Sequence, residues 1–170
     1  MKSVMGNRKT GAENGPRHHE QLFWSIRGIN SLLGVIYDTW ANRFGVTTPQ
    51  LVIVFALRDF DHQGKGLPVK EVAKILKVDP TFVTTQSKLL EAKGLVSRNT
   101  YSEDARVVRL LLTDKSLKQL AALSIRQKKI NDYIFSEFSE QGMQAFVTKV
   151  FALKNRMEKA SAIASISLDD

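Results

Sequence analysis

The segment from residue 68 to residue 112 constrains the fold more than any other part of the sequence. An apolar periodicity predicts a short helix from Pro68 to Leu76, and a tight turn through residues 77–79 leads to a longer basic helix from Pro80 to Lys93. Two apolar stretches then predict a two-stranded ribbon. This order of elements is that of a winged helix-turn-helix, which in a basic chain indicates binding to double-stranded DNA.

The ends of the second helix are marked by residues with specific roles. Asp79 can cap the first free amide groups, Pro80 suits the first helical position, and Gly94 suits the left-handed residue that ends a helix. Helical spacing predicts four residues on the inner side: Val83, Leu89, Leu90 and, beyond the stop, Leu95.

Another face of this helix carries Thr81, Thr84, Thr85 and Lys88. Hydroxyl groups and an ammonium group can meet base edges and phosphates in a major groove, so these four residues are predicted to bind DNA. The alternative is an ordinary solvated helix face.

The ribbon supplies three further candidates. Val96, Arg98 and Thr100 alternate with polar residues, Val107 to Leu112 forms the second strand, and Glu103 to Arg106 is predicted as the tip. Arg106 can enter a minor groove with enhanced negative potential, held by Asp104 through a charge-assisted hydrogen bond. We therefore expect Arg98, Asp104 and Arg106 to join the DNA-binding residues, although an Asp and Arg pair in a loop can also be an ordinary surface ion pair.

The run from Asp79 to Asp114 resembles the MarR family of bacterial transcriptional regulators. The matching segments are Leu90–Val96 at the helix end, Glu103–Arg106 in the wing, Leu112–Asp114 before the next helix and Thr48–Leu51 upstream. In element order the resemblance extends over about residues 20 to 160. One departure is Val107, where the family often has a second Arg, which removes one phosphate contact. The resemblance implies a homodimeric regulator, expected to be a repressor, on a pseudo-palindromic operator.

Charge and composition agree with a DNA-binding regulator. The net charge is +8, and residues 65–113 carry nine basic against five acidic residues, which is half of that excess. Cysteine is absent and only three histidines are present, so we expect no metal site, no cofactor and no cysteine-based sensor. No apolar run approaches the roughly 20 residues of a membrane span, and residues 1–19 are typical of a flexible basic tail rather than a signal peptide, so a cytoplasmic location is expected.

The rest of the chain predicts long helices with apolar stripes. The first stripe comprises Leu22, Ile26, Ile29, Leu33, Ile36, Trp40 and Phe44, and two more lie within residues 117–134 and 143–157. A second copy could cover these stripes, so the expected fold is mainly α with a small β-hairpin wing. Residues 20–46 and 114–163 form the predicted dimerisation region, and residues 47–113 the winged helix-turn-helix. A self-contained helical subdomain is the alternative.

Proteins that resemble this chain often bind small aromatic or phenolic acids between the dimerisation helices and the winged domain. Tyr37, Trp40 and Phe44 provide an aromatic wall and Arg43 a cation, so these four residues are the predicted ligand-binding set. The alternative is that the aromatic residues are core and Arg43 is solvated.

Three function classes follow. The first is a sequence-specific transcriptional regulator, and the second is a nonspecific nucleoid-type or RNA-binding protein with the same charge. The third, an enzyme, has no support in the sequence, which contains neither a catalytic Ser, His and acid set nor a glycine-rich phosphate loop.

Overall fold

The computed structural model describes residues 18–101 and 104–166, without the side chains of residues 101, 104–106 and 166. The predicted basic tail therefore lies almost wholly outside the described residues. The chain contains six helices and three strands within these ranges, in the following order: α1 (His18–Phe44), α2 (Thr48–Phe60), β1 (Leu67–Pro68), α3 (Val69–Leu76), α4 (Pro80–Ala92), β2 (Val96–Tyr101), β3 (Asp104–Leu112), α5 (Asp114–Ile134) and α6 (Glu140–Ile166). The predicted fold class is confirmed.

The strands form one antiparallel sheet in the order β1, β3, β2. The central strand β3 pairs with both neighbours, so that Leu110 lies opposite Arg98 on β2 and Leu67 on β1. The ladder between β2 and β3 is irregular between Thr100 and Tyr101. Strand β1 was not predicted, because its two residues give no periodicity and their partners lie more than 40 residues later in the chain.

The wing differs from the prediction at its tip. Residues 104–106 were predicted to lie in the loop, whereas strand β3 begins at Asp104, which is opposite Tyr101. Asp104 and Arg106 therefore belong to the strand, and residues 102–103, which connect the strands, lie outside the described residues. The reason is that pairing continues past the bulge and leaves room only for a short connection.

The chain divides after Leu117 into two compact units. The core of the first unit is built around α2, where Leu51, Ile53 and Val54 are fully buried, together with residues of the elements that follow. Further fully buried side chains in this core are Leu57, Val72, Val83, Leu90, Val96 and Leu110. This core holds α3, α4 and the sheet in fixed positions, which is the usual basis for precise placement of functional side chains on a scaffold.

The second unit contains most of α5 and all of α6. Phe138 lies between Phe135 and Phe146, with ring centroids 6.3 and 5.3 Å away, so aromatic contacts join the connection after α5 to α6. Most of the other large apolar side chains on α6 are exposed, among them Val147, Val150, Phe151 and Met157. Within the described residues, no helix is both long enough and apolar enough to cross a membrane.

Candidate nucleic-acid interface

The turn before α4 places the start of this helix. Lys77 has a left-handed backbone conformation with φ 55°, and its N–H donates to the end of α3. The Asp79 carboxylate then accepts a hydrogen bond from the Thr81 N–H at 2.7 Å, and Pro80 follows as the first helical residue. Hydrogen bonds with Thr81 lower the pKa of the Asp79 carboxyl below its ordinary value of 3.8.

The inner face of α4 is completely buried. Val83, Ser87 and Leu90 have no exposed surface, and Leu95 beyond the helix is also buried. The prediction for Leu89 was wrong, because 48% of its surface is exposed. Adjacent helical residues are rotated by about 100°, so with Leu90 at the centre of the inner face Leu89 must point sideways, and Ser87 takes the predicted inner place.

The outer face of α4 carries most of the predicted DNA-binding residues. Thr81, Thr85 and Lys88 are exposed, whereas Thr84 is half-buried. The Thr84 hydroxyl donates to the Pro80 carbonyl at 2.9 Å, and the Thr85 hydroxyl donates to the Thr81 carbonyl at 3.0 Å. Both hydroxyl oxygens keep lone pairs that can accept further hydrogen bonds. The structure therefore provides an exposed surface with hydroxyl groups and one ammonium group.

Arg98 is placed differently from these residues. Its side chain is only 12% exposed and lies against α4 instead of projecting from the wing. The guanidinium donates to the Thr84 carbonyl at 3.4 Å and to the Ser87 hydroxyl, and its Nε lies 3.6 Å from a Glu91 carboxylate oxygen. Sequence reasoning missed this contact with Ser87 and Glu91, since strand alternation does not show which side chains oppose a strand.

The remaining predicted DNA-binding residues, Asp104 and Arg106, lie in strand β3 of the wing. Strands β2 and β3 pair from Val96 opposite Leu112 to Thr100 opposite Val108, and β3 begins with the segment that contains Asp104 and Arg106. The backbone of both residues therefore lies at the far end of the hairpin, and their side chains lie outside what the structure describes.

A hydrogen bond between the side chains of Gln50 and Gln86 joins α2 to α4. The buried Gln50 accepts a hydrogen bond from the Thr47 N–H at 3.2 Å, and its side-chain amide donates to Gln86 at 3.2 Å. The Thr47 and Gln50 pair therefore marks the start of α2 and also connects it to α4.

The four predicted ligand-binding residues differ in burial. Trp40 and Phe44 are buried, Tyr37 is half-buried and Arg43 is exposed. Tyr37 stacks on Trp40 at 5.5 Å between ring centroids, and both contact Phe55 of α2 edge-on at 5.8 and 6.2 Å.

The cation beside this aromatic cluster is Arg58 of α2, which sequence reasoning missed. Its guanidinium lies 4.5 Å from the Phe55 ring centroid and pairs with Asp59 at 2.6 Å. The missed signal was its spacing of three residues from Phe55, which puts both on one side of α2. No group of three His, Asp or Glu side chains suited to a metal ion occurs among the described residues.

Comparison with known proteins identifies this architecture. The model of the MarR family matches residues 46–108. The helix-turn-helix-type transcriptional regulator YdgJ of Bacillus subtilis (strain 168) is 20% identical over 142 residues, which cover 84% of this chain and 82% of YdgJ. The transcriptional repressor MdtR of the same organism is 32% identical over 102 residues, which cover 59% of this chain and 63% of MdtR.

A solved structure, that of the S. aureus MepR–DNA complex, has the same fold with a TM-score of 0.69. It is 20% identical in sequence, and the match covers 83% of this chain and 99% of the MepR chain. Proteins of the matched family are transcription regulators and not enzymes. Residues 46–108 of the chain therefore match the MarR family of helix-turn-helix transcriptional regulators, and the chain has the fold of the solved structures of that family.

Proposed function

We propose that this regulator binds double-stranded DNA in a sequence-selective manner, with α4 in the major groove. The observation that carries the proposal is the division of α4 into a fully buried inner face and an exposed face of hydroxyl and ammonium groups. A helix fixed so firmly on one side presents its other side in a single orientation, as reading of base edges requires. The MepR structure, which contains DNA, supports this use of the fold.

The residues of the outer face have distinct proposed roles. Thr81 and Thr85 contact base edges or phosphates through their hydroxyl oxygens, and Lys88 binds a phosphate. Thr84 contributes less, because it is half-buried and its hydroxyl already donates within the helix. Asp104 and Arg106 act at the end of the wing, where Arg106 enters the minor groove. Residues 47–113 are accordingly the DNA-binding region.

The proposed active form is a homodimer. Large apolar side chains remain exposed along the first half of α1 and along α6, including Phe23, Trp24, Leu32, Val147 and Phe151. A monomer with so many exposed apolar side chains on two helices would be unusual, and pairing with a second copy would remove them from water. A two-fold axis would also present two α4 helices to successive major grooves about 34 Å apart, which gives a pseudo-palindromic operator.

By comparison with the repressor MdtR, we propose repression as the effect of binding.

An aromatic carboxylate is the proposed effector, and the exposure of the aromatic residues favours two of the nearby side chains for binding it. Trp40 and Phe44 are core residues, so Tyr37 offers the accessible aromatic surface and Arg58 the adjacent cation. Arg43 is exposed and belongs to the predicted set only by its position in the sequence. Such a ligand releases DNA only if it binds the DNA-incompetent arrangement more tightly.

Thermal-shift measurements with benzoate and hydroxybenzoates test the effector site. We expect the wild type and the Arg43→Ala variant to be stabilised equally, and the Arg58→Ala variant to lose the stabilisation because the carboxylate loses its cation. If Arg58→Ala retains the stabilisation and Arg43→Ala loses it, the cation that binds the carboxylate is Arg43, as the sequence predicted.

Selection of bound duplexes from a random DNA pool, at about physiological salt to suppress nonspecific phosphate binding, tests the proposed function. The expected product is an inverted repeat whose half-site centres lie about one helical turn apart. Binding without enrichment of any sequence would contradict the proposal and favour a nonspecific nucleoid-type protein.

A further inference from the structure

Arg98 connects the two elements that the proposed function places on DNA. It lies on β2, and its partners among the described residues lie on α4: the Thr84 carbonyl accepts a hydrogen bond at 3.4 Å, the Ser87 hydroxyl accepts another, and the Glu91 carboxylate forms an ion pair with Nε at 3.6 Å. Three and four residues separate these partners, so they form one row along the side of the helix that faces the sheet. The guanidinium therefore spans about two turns of α4 from a single position on the wing.

The surroundings of Arg98 favour a single geometry. Its side chain is 12% exposed and Ser87 is fully buried, so the guanidinium has lost most of its water and depends on these hydrogen bonds. The guanidinium is planar and its donors have fixed directions, whereas a Lys ammonium at the same place could satisfy only one acceptor well. Any tilt of the hairpin relative to α4 would break at least one of the three contacts.

The position of Arg98 along β2 determines which part of the hairpin it holds against α4. It is paired with the fully buried Leu110 and lies two residues before the irregularity at Thr100 and Tyr101. Beyond that irregularity the hairpin continues to the segment that contains Arg106. Arg98 therefore anchors the regular part of the hairpin immediately before its far end, on the two turns of α4 that also carry Thr85 and Lys88.

We propose that Arg98 is a positioning residue that sets the placement of the wing relative to α4, and that it does not itself contact DNA. This inference rests on the proposed function, in which α4 and the wing read adjacent grooves. It replaces the expectation that Arg98 binds DNA directly. The consequence is that the minor-groove contact of Arg106 depends on Arg98 through the geometry of the hairpin.

Amide hydrogen exchange of the DNA-free protein tests the placement. In Arg98→Met, which keeps an unbranched apolar side chain, we expect β2 and β3 to exchange about tenfold faster while peptides from α2 remain unchanged. Ser87→Ala should give a smaller increase, and it provides the same test if Arg98→Met does not fold. Lys128→Met on α5, which removes the same charge, is the control and should leave the wing unchanged. Unchanged exchange of β2 and β3 in Arg98→Met and Ser87→Ala would overturn the inference.

Affinity for duplexes with A·T or G·C flanks tests the consequence for DNA reading. We expect Arg106→Ala to reduce the preference for the A·T flank in the wild type but to change it less than about twofold in the Arg98→Met background, because the wing is already displaced. In the Arg106→Ala background, Arg98→Met should leave the salt slope unchanged, because Arg98 itself contacts no phosphate. A slope lower by about 0.9 in that background, as for a lost phosphate contact, or fully additive effects of the two substitutions on the flank preference, would overturn the inference.

The two failures are distinguishable. If the wild type has no flank preference, the proposed role of the wing on DNA fails, and hydrogen exchange still decides whether Arg98 places the wing. If the wild type has the preference and Arg98→Met retains it together with normal exchange, only the inference about Arg98 fails.

Discussion

At the scale of single residues, Asp79 has the clearest local role in the structure. Its carboxylate accepts the Thr81 N–H at 2.7 Å at the start of α4, and the same hydrogen bonds lower its pKa below 3.8. A carboxyl group whose pKa is lower in the folded state stabilises the protein above its unfolded pKa, and this stabilisation disappears as the pH falls through the folded pKa. The helix that is proposed to read DNA thus begins at a charge-dependent cap.

We expect Asp79→Ala to have a lower melting temperature than the wild type at pH 7, and this difference to shrink as the pH falls from about 5 to below the lowered pKa. Circular-dichroism melts across that range are the measurement. Asp79→Asn is the matched control, since it keeps a neutral cap acceptor and should lose only the pH-dependent part. A difference for Asp79→Ala that does not vary with pH would contradict this role of the charge.

At the scale of elements, the end of α4 is tied to the start of α5 by side-chain hydrogen bonds to backbone carbonyls. The Thr113 hydroxyl donates to the Gly94 carbonyl at 2.8 Å, the Lys115 ammonium donates to the Lys93 carbonyl at 2.8 Å, and the buried Ser116 hydroxyl donates to the Leu95 carbonyl. Lys93 is the C-cap of α4 and Gly94 and Leu95 follow it, so these donors bind carbonyls that have no partner within the helix. The first turn of α5 is therefore held against the end of α4 within the first unit.

Ser116→Ala removes one of these donors from a fully buried site. We expect a loss of about 0.5 to 1.5 kcal/mol in the free energy of unfolding, because the Leu95 carbonyl loses its buried hydroxyl donor but keeps the Thr113 N–H and hydroxyl at 3.3 Å. Urea denaturation measures the loss. Ser124→Ala is the control, since the exposed Ser124 makes an equivalent local bond within α5, and its effect should lie within about 0.5 kcal/mol of zero. Equal effects of the two substitutions would show that the buried bond contributes nothing.

The sequence predicted elements well where their signals were local. The bounds of α4 follow from Asp79, Pro80 and Gly94, which act within a few residues, and the structure places Gly94 at φ 67° as expected. Strand β1 and the orientation of Arg98 depend on partners far away in the chain, which no local pattern records. The resemblance to a family predicted the order of the elements, whereas the contacts between them join residues far apart in the chain and are seen only in the structure.

The DNA-binding face of α4 was also predictable from local signals in the sequence, whereas the ligand-binding residues were not. The exposed positions of Thr81, Thr85 and Lys88 agree with helical periodicity, because that face is set by the buried positions opposite. The ligand-binding residues were harder to predict, because two arginines lie near aromatic residues. Arg43 precedes Phe44 directly, and Arg58 follows Phe55 by three residues on α2. The packing of α2 against α1 brings Phe55 onto Tyr37 and Trp40, and Arg58 lies beside the Phe55 ring.

At the scale of the whole molecule, the exposed apolar side chains of α6 predict a dimer. We expect wild-type protein to have about twice the 19.1 kDa mass of one chain in light scattering, and Phe151→Glu to have the mass of one chain, because a buried carboxylate at a dimer contact is costly. Lys149→Glu changes the charge of the same helix more strongly and is the control, which should remain dimeric. Wild-type protein that is monomeric at micromolar concentration would contradict the proposed dimer.

The central claim is that the outer face of α4 reads DNA sequence, and the most direct test is the ratio of affinities for the selected duplex and for a scrambled duplex of equal composition. We expect a ratio of about 10³ or more for the wild type. Thr85→Val should lower this ratio about tenfold, whereas Lys88→Met should weaken binding to both duplexes and lower the salt slope by about 0.9. A wild-type ratio near one, or a ratio that Thr85→Val and a Thr81→Ala variant leave unchanged, would contradict the account.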